Sequence, residues 1–575
     1  MATQNSTGVD VVISGLGPTG LTLAHLLGRR GISVLVLERE PRFYGNARAV
    51  YTDDECMRIF QAAGMADELA RDMLQDAIFQ WVLPDGRVLN QLIQKERPYG
   101  WPANNLFYQP FLETSLAEGL ARYPTVSVRR GRELTRFAQD GEGVTVFHVP
   151  SEGAQYSRPA TVPGVVPGPP QGEESIRGKY LVACDGGRSA VRAQLGINLT
   201  GKSFPNPWIV VDIREKDGED CLRHLPYFNF VCDPDCPTVS CRQPKGHHRF
   251  EFMLMPGQTA EYMEDPATVR QLLSRYVDVD KVEVLRSLVY TFNALVADRW
   301  REGRVFLAGD AAHMTPQFVG QGMNAGVRDA YNLAWKLAAV LRGTATSALL
   351  DSYQTERLPH ARAMIDTSIL MKNYVSVANP VLSGVRNLAT RVARVTPGLK
   401  DYFSRAKFKP RPRYQDGQYF GQPRRRRAGP EGEQIPQPTV IGRDGARRLM
   451  DEVLGDGYAV IGFGVDPRAL LSPAELGSLA RVDARYVTLF PLGGRPQGFD
   501  ASRSAPQGLP ELEDFSGELT AWLKQSGLGR GAVAIVRPDK FTYALVTGAE
   551  LPQTVRRLAD DLGICAARSQ ASSRV

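Results

Sequence analysis

An α/β architecture, α+β overall, is expected from this 575-residue sequence. A parallel-sheet domain is interleaved with a mixed-sheet domain, and a separate α/β domain follows. Three features point to this. The first fifty residues read strand, glycine turn, helix, strand. Short apolar runs then alternate with helical periodicity as far as about residue 405. A Pro-, Arg- and Gly-rich stretch, 406–434, separates a further α/β pattern from the rest.

Val11-Val12-Ile13-Ser14 is a short apolar run, read as a buried parallel strand. Gly15, Gly17 and Gly20 follow in the spacing G-x-G-x-x-G, with Pro18 and Thr19 inside the turn. A helix runs through Leu21, Ala24, Leu27 and Gly28. A second strand, Ser33 to Leu37, ends at Glu38, with Arg39 after it. Each part has a physical job. Gly15 permits the tight turn, Gly17 lets a pyrophosphate approach the backbone, and Gly20 lets helix and strand pack closely. The helix N-terminus faces the phosphate charge. Glu38 can accept hydrogen bonds from a ribose. Glycine turns also arise for structural reasons alone. With strand, helix, second strand and terminal acid all in place, a Rossmann-like dinucleotide site is the reading.

Composition narrows the function. Hydrophobic content of 43% and charged content of 23% are ordinary for a globular protein. The net charge of +7 is mild, and four of those charges form one run, Arg424 to Arg427. No aromatic residue interleaves with that run, so it reads as a solvated linker and no nucleic-acid partner is expected. Met1 to Asp10 is polar, without the apolar core of a leader. No stretch of about 18 apolar residues exists, so no membrane span is expected. Seven scattered cysteines suit a reducing cytoplasm, the expected location, better than a disulfide scaffold. Cys232, Cys236 and Cys241, near His247 and His248, lack a paired C-x-x-C, so they read as free thiols and no metal is expected.

The elements follow in order. Residues 53–74 carry helical apolar spacing, and 78–93 form a hairpin about Pro84-Asp85-Gly86. A helix is expected over 111–122, opened by Pro110, and strands near 126–130 and 144–149. Residues 150–176 are Pro-, Gly- and Ser-rich and read as an exposed loop extending a hairpin. Tyr180 to Cys184 is a buried strand ending in Asp185-Gly186-Gly187. Strands at 207–213, 226–232, 238–242, 248–255 and 282–293, with a helix at 266–276, suggest a second sheet. Val305 to Ala308 is an apolar strand running into Gly309-Asp310-Ala311-Ala312-His313. After a loop, Gln321-Gly322-Met323-Asn324 opens a long helix to Leu341, and a second helix spans 346–372. Beyond the linker, strands at 458–462, 486–489 and 532–537 and helices at 473–480 and 552–562 form the last domain.

Three motifs stand in order: the glycine turn, Asp185-Gly186 in the spacing D-G-x-x-S-x-x-R with Ser189 and Arg192, and Arg304 to His313 around Gly309-Asp310. Together they resemble the single-component flavin-dependent aromatic hydroxylases, the group of p-hydroxybenzoate and phenol hydroxylases. Asn206 to Asp212, Arg249 to Met253, Gly320 to Asn324, Arg328-Asp329-Ala330 and Asn332 to Ala338 look most like the 3-(3-hydroxyphenyl)propionate hydroxylases. The similarity covers about 9–410 and extends more loosely beyond. The departures are the 150–176 insertion, the extra cysteines and the arginine run.

The resemblance implies an FAD-binding domain over 1–200 and 295–405, a substrate-binding sheet over 201–294, a linker over 406–434 and a thioredoxin-like domain over 435–575. The last holds Cys565 and no C-x-x-C, which excludes dithiol chemistry there and leaves a structural or dimer-supporting role. Non-covalent FAD is implied at Gly15, Gly17, Pro18, Thr19, Gly20, Glu38, Arg39, Arg48, Gln109, Asp185, Gly186, Gly309 and Asp310. Pro316, Gly320, Gln321, Gly322, Met323 and Asn324 would form the loop and helix start against the flavin ring. The N–H groups and dipole there would stabilise negative charge on the reduced ring. No second G-x-G-x-x-G fold is seen, so NADH or NADPH would dock transiently. The implied reaction is reduction of FAD, formation of a flavin C4a-hydroperoxide with O2, and transfer of its terminal oxygen to a phenolic acid, giving a catechol-type product. The substrate would be 3-(3-hydroxyphenyl)propionate or 3-hydroxycinnamate. Hydroxylation of another phenol or a polycyclic aromatic, an oxidase, and a non-hydroxylating FAD-binding protein are the alternatives. The phenol base is open: His224 and Tyr227 are candidates, and His313 reads as packing. Arg223 and Arg249 could meet a carboxylate, but both stay outside the site assignment.

Overall fold

The computed structural model describes residues 8–43, 48–153, 172–204, 206–420, 429–496 and 510–564. Asn46-Ala47, most of the 150–176 loop, the Arg424–Arg427 run and Cys565 lie outside them. The chain divides into two compact units. One comprises Met1–Arg97, Pro102–Ala330 and Ala361–Pro410; the other comprises Pro98–Trp101, Tyr331–His360 and Arg411–Val575.

The first unit holds the nucleotide-type sheet. Its parallel strands lie in the order Val305–Leu307, Glu174–Ala183, Val9–Ser14, Val34–Glu38, Val126–Arg130. The first strand is central, so chain order reverses beside it and a crevice opens at the C-terminal strand ends. Those ends deliver Gly15, Glu38, Cys184-Asp185 and Ala308-Gly309 to one place. The apolar runs are strands because both faces of the sheet are covered: Val11, Val12, Ile13, Leu181, Val182 and Leu307 are fully buried. Glu174–Ala183 does two jobs. Its first half pairs antiparallel with Val144–Pro150, its second half with the central strand.

A second sheet in this unit has seven strands. Five come from the expected stretch: Val282–Tyr290, Trp208–Glu215, His247–Met253, Thr238–Arg242 and Phe228–Val231. The hairpin Phe79–Val82 and Val88–Leu92 supplies the other two, with Phe79–Val82 running parallel to Phe228–Val231. Alternation gives this sheet two different faces. Ile209, Val211, Phe250 and Phe252 pack against the helix Pro266–Leu273 side, while Phe79, Trp81, Phe228, Phe230 and Cys241 belong to an aromatic cluster on the other. Cys232 and Cys241 share that aromatic face, and Cys236 lies in the opposite core. Among the described residues no three His, Cys, Asp or Glu side chains are grouped to hold a metal.

Several element bounds differ from expectation for local reasons. The helix read over 53–74 breaks at Gly64, in the left-handed region at φ +76°, into Asp54–Ala62 and Ala66–Ala70. The strands expected near 282–293 belong to two different sheets. Val282–Tyr290 stays in the second sheet, and Asn293–Ala297 pairs with Leu199–Ser203.

The second unit is built on one mixed sheet, in the order Arg447–Leu449, Thr439–Ile441, Glu511–Asp514, Arg485–Pro491, Ala459–Phe463, Ala532–Val536, Thr542–Thr547. Apolar clusters cover both faces. Leu551, Val555, Leu558 and Leu562 of one helix serve one face, and Leu519 and Leu523 of another serve the other. A buried ion cluster lies within this unit: Glu356 meets Arg537 at 2.7 Å and Lys336 at 2.6 Å. Among the described residues no helix is long and apolar enough to cross a membrane.

Candidate active site

The glycine turn fits its strands for reasons of space. Gly15 has φ +101°, and a Cβ there would lie 2.4 Å from the Cys184 carbonyl oxygen. A Cβ on Gly20 would lie 2.1 Å from the Gly15 carbonyl oxygen. Both positions therefore exclude any side chain. Gly17 is different. Its backbone is extended, and a Cβ would meet nothing within 4 Å. Its surroundings of protein do not demand glycine; it opens on a cavity of about 1120 Å³.

That cavity gathers most of the expected residues. Gly15, Gly17, Pro18, Thr19, Glu38, Arg39, Arg48, Gln109, Asp185, Gly186, Asp310, Gly320, Gln321, Gly322 and Met323 all line it. Gly186 and Gly322 resemble Gly17 in having open space where a Cβ would point, apart from one distant contact at Gly322. Gly20, Gly309 and Asn324 stand behind the lining. A Cβ on Gly309 would strike Thr19 Oγ1 at 2.6 Å.

Each motif explains itself in contacts. Glu38 Oε2 accepts from the Leu16 N–H at 2.7 Å, and Oε1 accepts from the Glu40 N–H at 2.9 Å. Gln109 Oε1 accepts from the Arg48 and Ala49 N–H groups at 2.7 and 2.6 Å, which places the Arg48 segment at the cavity edge. Gln109 Nε2 donates to Glu113, and burial pushes the Glu113 carboxyl up to about 7. In the second motif Ser189 caps a short helix by accepting from the Arg192 N–H. Arg192 then donates to the Ala311 and Gly187 carbonyls at 3.0 and 2.7 Å, tying the Asp185 loop to the Asp310 loop. In the third, Asp329 accepts from the Gly309 N–H at 3.0 Å and lies 2.7 Å from His313 Nε2, both wholly buried. His313 is a packing residue.

Two acids are left with capacity for a ligand. Asp185 Oδ1 is buried without a hydrogen-bond partner, and burial raises its carboxyl. Asp310 lines the cavity, and its carboxylate meets no donor among the described residues. Open glycines, an orphaned carboxylate oxygen and a free one suit a ligand with a pyrophosphate and several hydroxyls.

The loop and helix start are braced by charge. Gly320 takes the left-handed conformation at φ +59°, and the helix Gln321–Leu341 begins beside the cavity. The Gln321 side chain turns away from it, accepting from Arg328 and donating to Asp53. What Gln321 offers the cavity is backbone. Arg328 pairs with Asp53 and with Glu55, and Lys409 Nζ reaches Asp53 at 2.9 Å. These cations hold the Asp53 carboxyl well below the usual carboxylate range, against the opposing effect of burial. Asn324 donates to the Gly320 and Tyr51 carbonyls, fastening the loop from behind. Pro316 does not line the cavity; its carbonyl accepts from Ser368 Oγ at 2.6 Å, so it anchors the loop.

The remaining half of the cavity is aromatic. Phe79 stacks on Phe228 at 4.5 Å and Trp81 on Phe230 at 5.1 Å, with Tyr290, Phe292 and Phe318 also lining it. The two candidate bases are not there. His224 is exposed and Tyr227 lies under Arg242, outside the lining. Arg223 is also exposed, beside Asp220. Sequence reasoning missed Lys409, Glu251 and the aromatic wall. Period-two alternation along the second-sheet strands could have marked the wall residues; nothing local marks Lys409, which sits in the stretch read as linker.

Comparison with known proteins agrees with this geometry. The model of the FAD-binding domain family matches residues 8–368, and that of the HcaD C-terminal domain matches 432–561. A 3-(3-hydroxy-phenyl)propionate/3-hydroxycinnamic acid hydroxylase of Klebsiella pneumoniae (strain 342) is 37% identical over 95% of this chain and 92% of its own. The protein of the same description from Escherichia coli (strain SMS-3-5 / SECEC) is 36% identical over 96% and 94%. Among solved structures, aklavinone-11 hydroxylase, in a ternary complex with FAD and aklavinone, superposes with a TM-score of 0.73 at 26% identity, covering 97% of this chain and 100% of that one. The flavin-dependent monooxygenase PieE has the same fold, with a TM-score of 0.77 at 21% identity over 98% and 100%. A cavity lined by the glycine turn, the strand ends and an aromatic wall, on a chain so matched, places this protein in the FAD-binding domain family, among the flavin-dependent aromatic hydroxylases.

Proposed function

We propose that the protein hydroxylates 3-(3-hydroxyphenyl)propionate or 3-hydroxycinnamate to a catechol-type product, using NADH or NADPH and O2. The observation that carries this reading is the 37% identity, spread over 95% of the chain, to a hydroxylase of that description. The aromatic half of the cavity supports it by offering a ring-sized apolar surface beside the helix start.

When bound, FAD supplies the redox chemistry and the activation of O2. The protein's own groups do the rest. Gly17 and the following helix N-terminus would take the pyrophosphate, and Asp185 and Asp310 would accept from hydroxyls. The N–H groups from Gly320 to Met323 would face the ring and favour negative charge on it. Stacked Phe79, Phe228, Trp81 and Phe230 would orient the substrate ring and exclude water. Two lining cations would be in reach of a substrate carboxylate: Lys409, whose ammonium also meets Asp53, and Arg249 of the second sheet.

The test is oxidation of NADH and of NADPH by the FAD-loaded protein, with and without 3-(3-hydroxyphenyl)propionate, with products identified by mass. A large substrate-dependent rise and a product heavier by one oxygen are expected. A rise that yields peroxide alone would make that compound an effector. In that case a polycyclic phenol, in keeping with the likeness to aklavinone-11 hydroxylase, becomes the next substrate to try.

A further inference from the structure

One buried acid faces the aromatic half of the cavity from the middle of the second sheet. Glu251 lies on the strand His247–Met253, opposite Val210 on one neighbour and Val239 on the other. Strand alternation puts it on the same face as Cys241, Phe228, Phe230 and Tyr290, which line the cavity with it. The intervening Phe250 and Phe252 point into the opposite core.

The other lining carboxylates are engaged elsewhere. Glu38 holds the glycine turn, Glu40 pairs with Arg39 at 3.4 Å, Glu113 holds Gln109, Glu133 lies on the strand Arg132–Gln139 of the first sheet, and Asp185 and Asp310 sit at the strand ends. Glu251 is the acid carried by the sheet that carries the aromatic wall.

We propose that Glu251 is the base that takes the proton from the substrate phenol, a role that rests on the hydroxylase reading above. The phenol O–H bond breaks and an O–H bond forms on the Glu251 carboxylate. The electron pair stays on the phenol oxygen, and the phenolate ring becomes electron-rich at the carbons beside and opposite that oxygen. No oxidation or reduction occurs in this step.

The surrounding charges allow it. Arg249, on the same strand, stands 4.0 Å from Glu251 and is committed to Asp212 at 2.7 Å and to the Arg48 carbonyl at 2.6 Å. Asp212, on the adjoining strand, also pairs with Arg286 at 2.7 Å, and Cys241 faces the group from the other side. Two cations and Asp212 leave the cluster neutral when Glu251 is ionised and singly positive when it is protonated. The transferred proton therefore leaves a positive surrounding for the phenolate. Burial pushes Glu251 up to about 7, opposed by Arg249, and this suits a base working near neutral pH.

The test uses the FAD-loaded wild type and Glu251→Gln, with 4-nitrophenol as a probe whose phenolate is coloured. Glutamine holds the cluster at its singly positive charge, so bound probe ionises at least as fully in E251Q at equilibrium, and the expected difference is one of rate: on stopped-flow mixing the phenolate colour should follow binding in wild type and lag it at least tenfold in E251Q. Hydroxylation by E251Q should fall about a hundredfold at neutral pH. Its rate should lose the wild-type rise through about pH 7 and climb instead towards the ionisation of the free phenol. Phenolate colour that appears as fast in E251Q as in wild type, or an unchanged pH profile in a variant that retains FAD, would overturn the proposal. Should E251Q not fold, infrared difference spectra of the wild type decide. Probe binding should raise a protonated-carboxyl band that moves in Glu251→Asp, and binding without such a band overturns the role. Probe ionisation needs no turnover, so a wrong substrate shows in the product mass and a wrong base in the probe.

Discussion

The three glycines of one turn answer to different forces, and substitution separates them. Gly15 and Gly20 are small because their own chain leaves no room. Gly20→Ala should destabilise the protein by about 2–4 kcal/mol in urea unfolding, because the obstructing atom is a backbone carbonyl that cannot swing aside. Gly17 has room and an unstrained backbone. Gly17→Ala should keep the urea-unfolding free energy of the FAD-free protein within about 0.5 kcal/mol of wild type, yet weaken FAD binding, read by fluorescence titration, at least tenfold. A Gly17→Ala protein that binds FAD normally would mean that the open space at this glycine is not the pyrophosphate seat.

At the scale of elements, several motif residues prove to be fasteners. Arg192 joins two strand-end loops, and Asp329 gathers Gly309 and His313. The helix Gln321–Leu341 is fixed at its start by Arg328, whose guanidinium meets Asp53 and Glu55 deep in the first unit. Arg328→Met keeps the length and removes the charge. It leaves two buried carboxylates with Lys409 as their remaining cation, and should cost about 3–5 kcal/mol of stability. Denaturant unfolding at fixed FAD measures it; a loss below about 1 kcal/mol would show that water reaches the cluster.

For the whole molecule, buried acids set a stability window in pH. Glu356 is held down to about 2 by Arg537 and Lys336, against the pull of burial. Its contribution is present above the unfolded value of 4.5 and drains away as pH falls towards about 2. Asp53 behaves in the same sense. Asp54, Glu113 and Glu251 are pushed up to about 7 by burial. They bind the proton more tightly folded than unfolded, so their contribution is complete below the unfolded carboxylate range and is lost as pH rises through about 7. Thermal unfolding at constant salt should therefore peak on the acid side of neutrality and decline in both directions. A melting temperature that climbs steadily from pH 5 to pH 8 would contradict the assignment of three raised carboxyls.

What could be read from residues alone was whatever depends on neighbours in the chain. The strand–turn–helix start, the hairpin about Pro84-Asp85-Gly86, the run into Gly309-Asp310 and the helix opening at Gln321 are local patterns, and each stands where its spacing put it. The short strands Thr439–Ile441 and, at the sheet edge, Arg447–Leu449 were not legible, because their pairing partners, not their composition, make them strands. The same limit governs the site. Spacing could name Gly17, Asp185 and Asp310, since each sits at the end of its own apolar strand. It could not join the Phe79–Leu92 hairpin to strands more than a hundred residues later, nor bring Lys409 to Asp53, nor tell Glu251 from the other acids. Burial in a shared cavity decides which carboxyl keeps its proton near neutral pH, and burial is a property of the folded chain, settled only when distant strands close the wall around it.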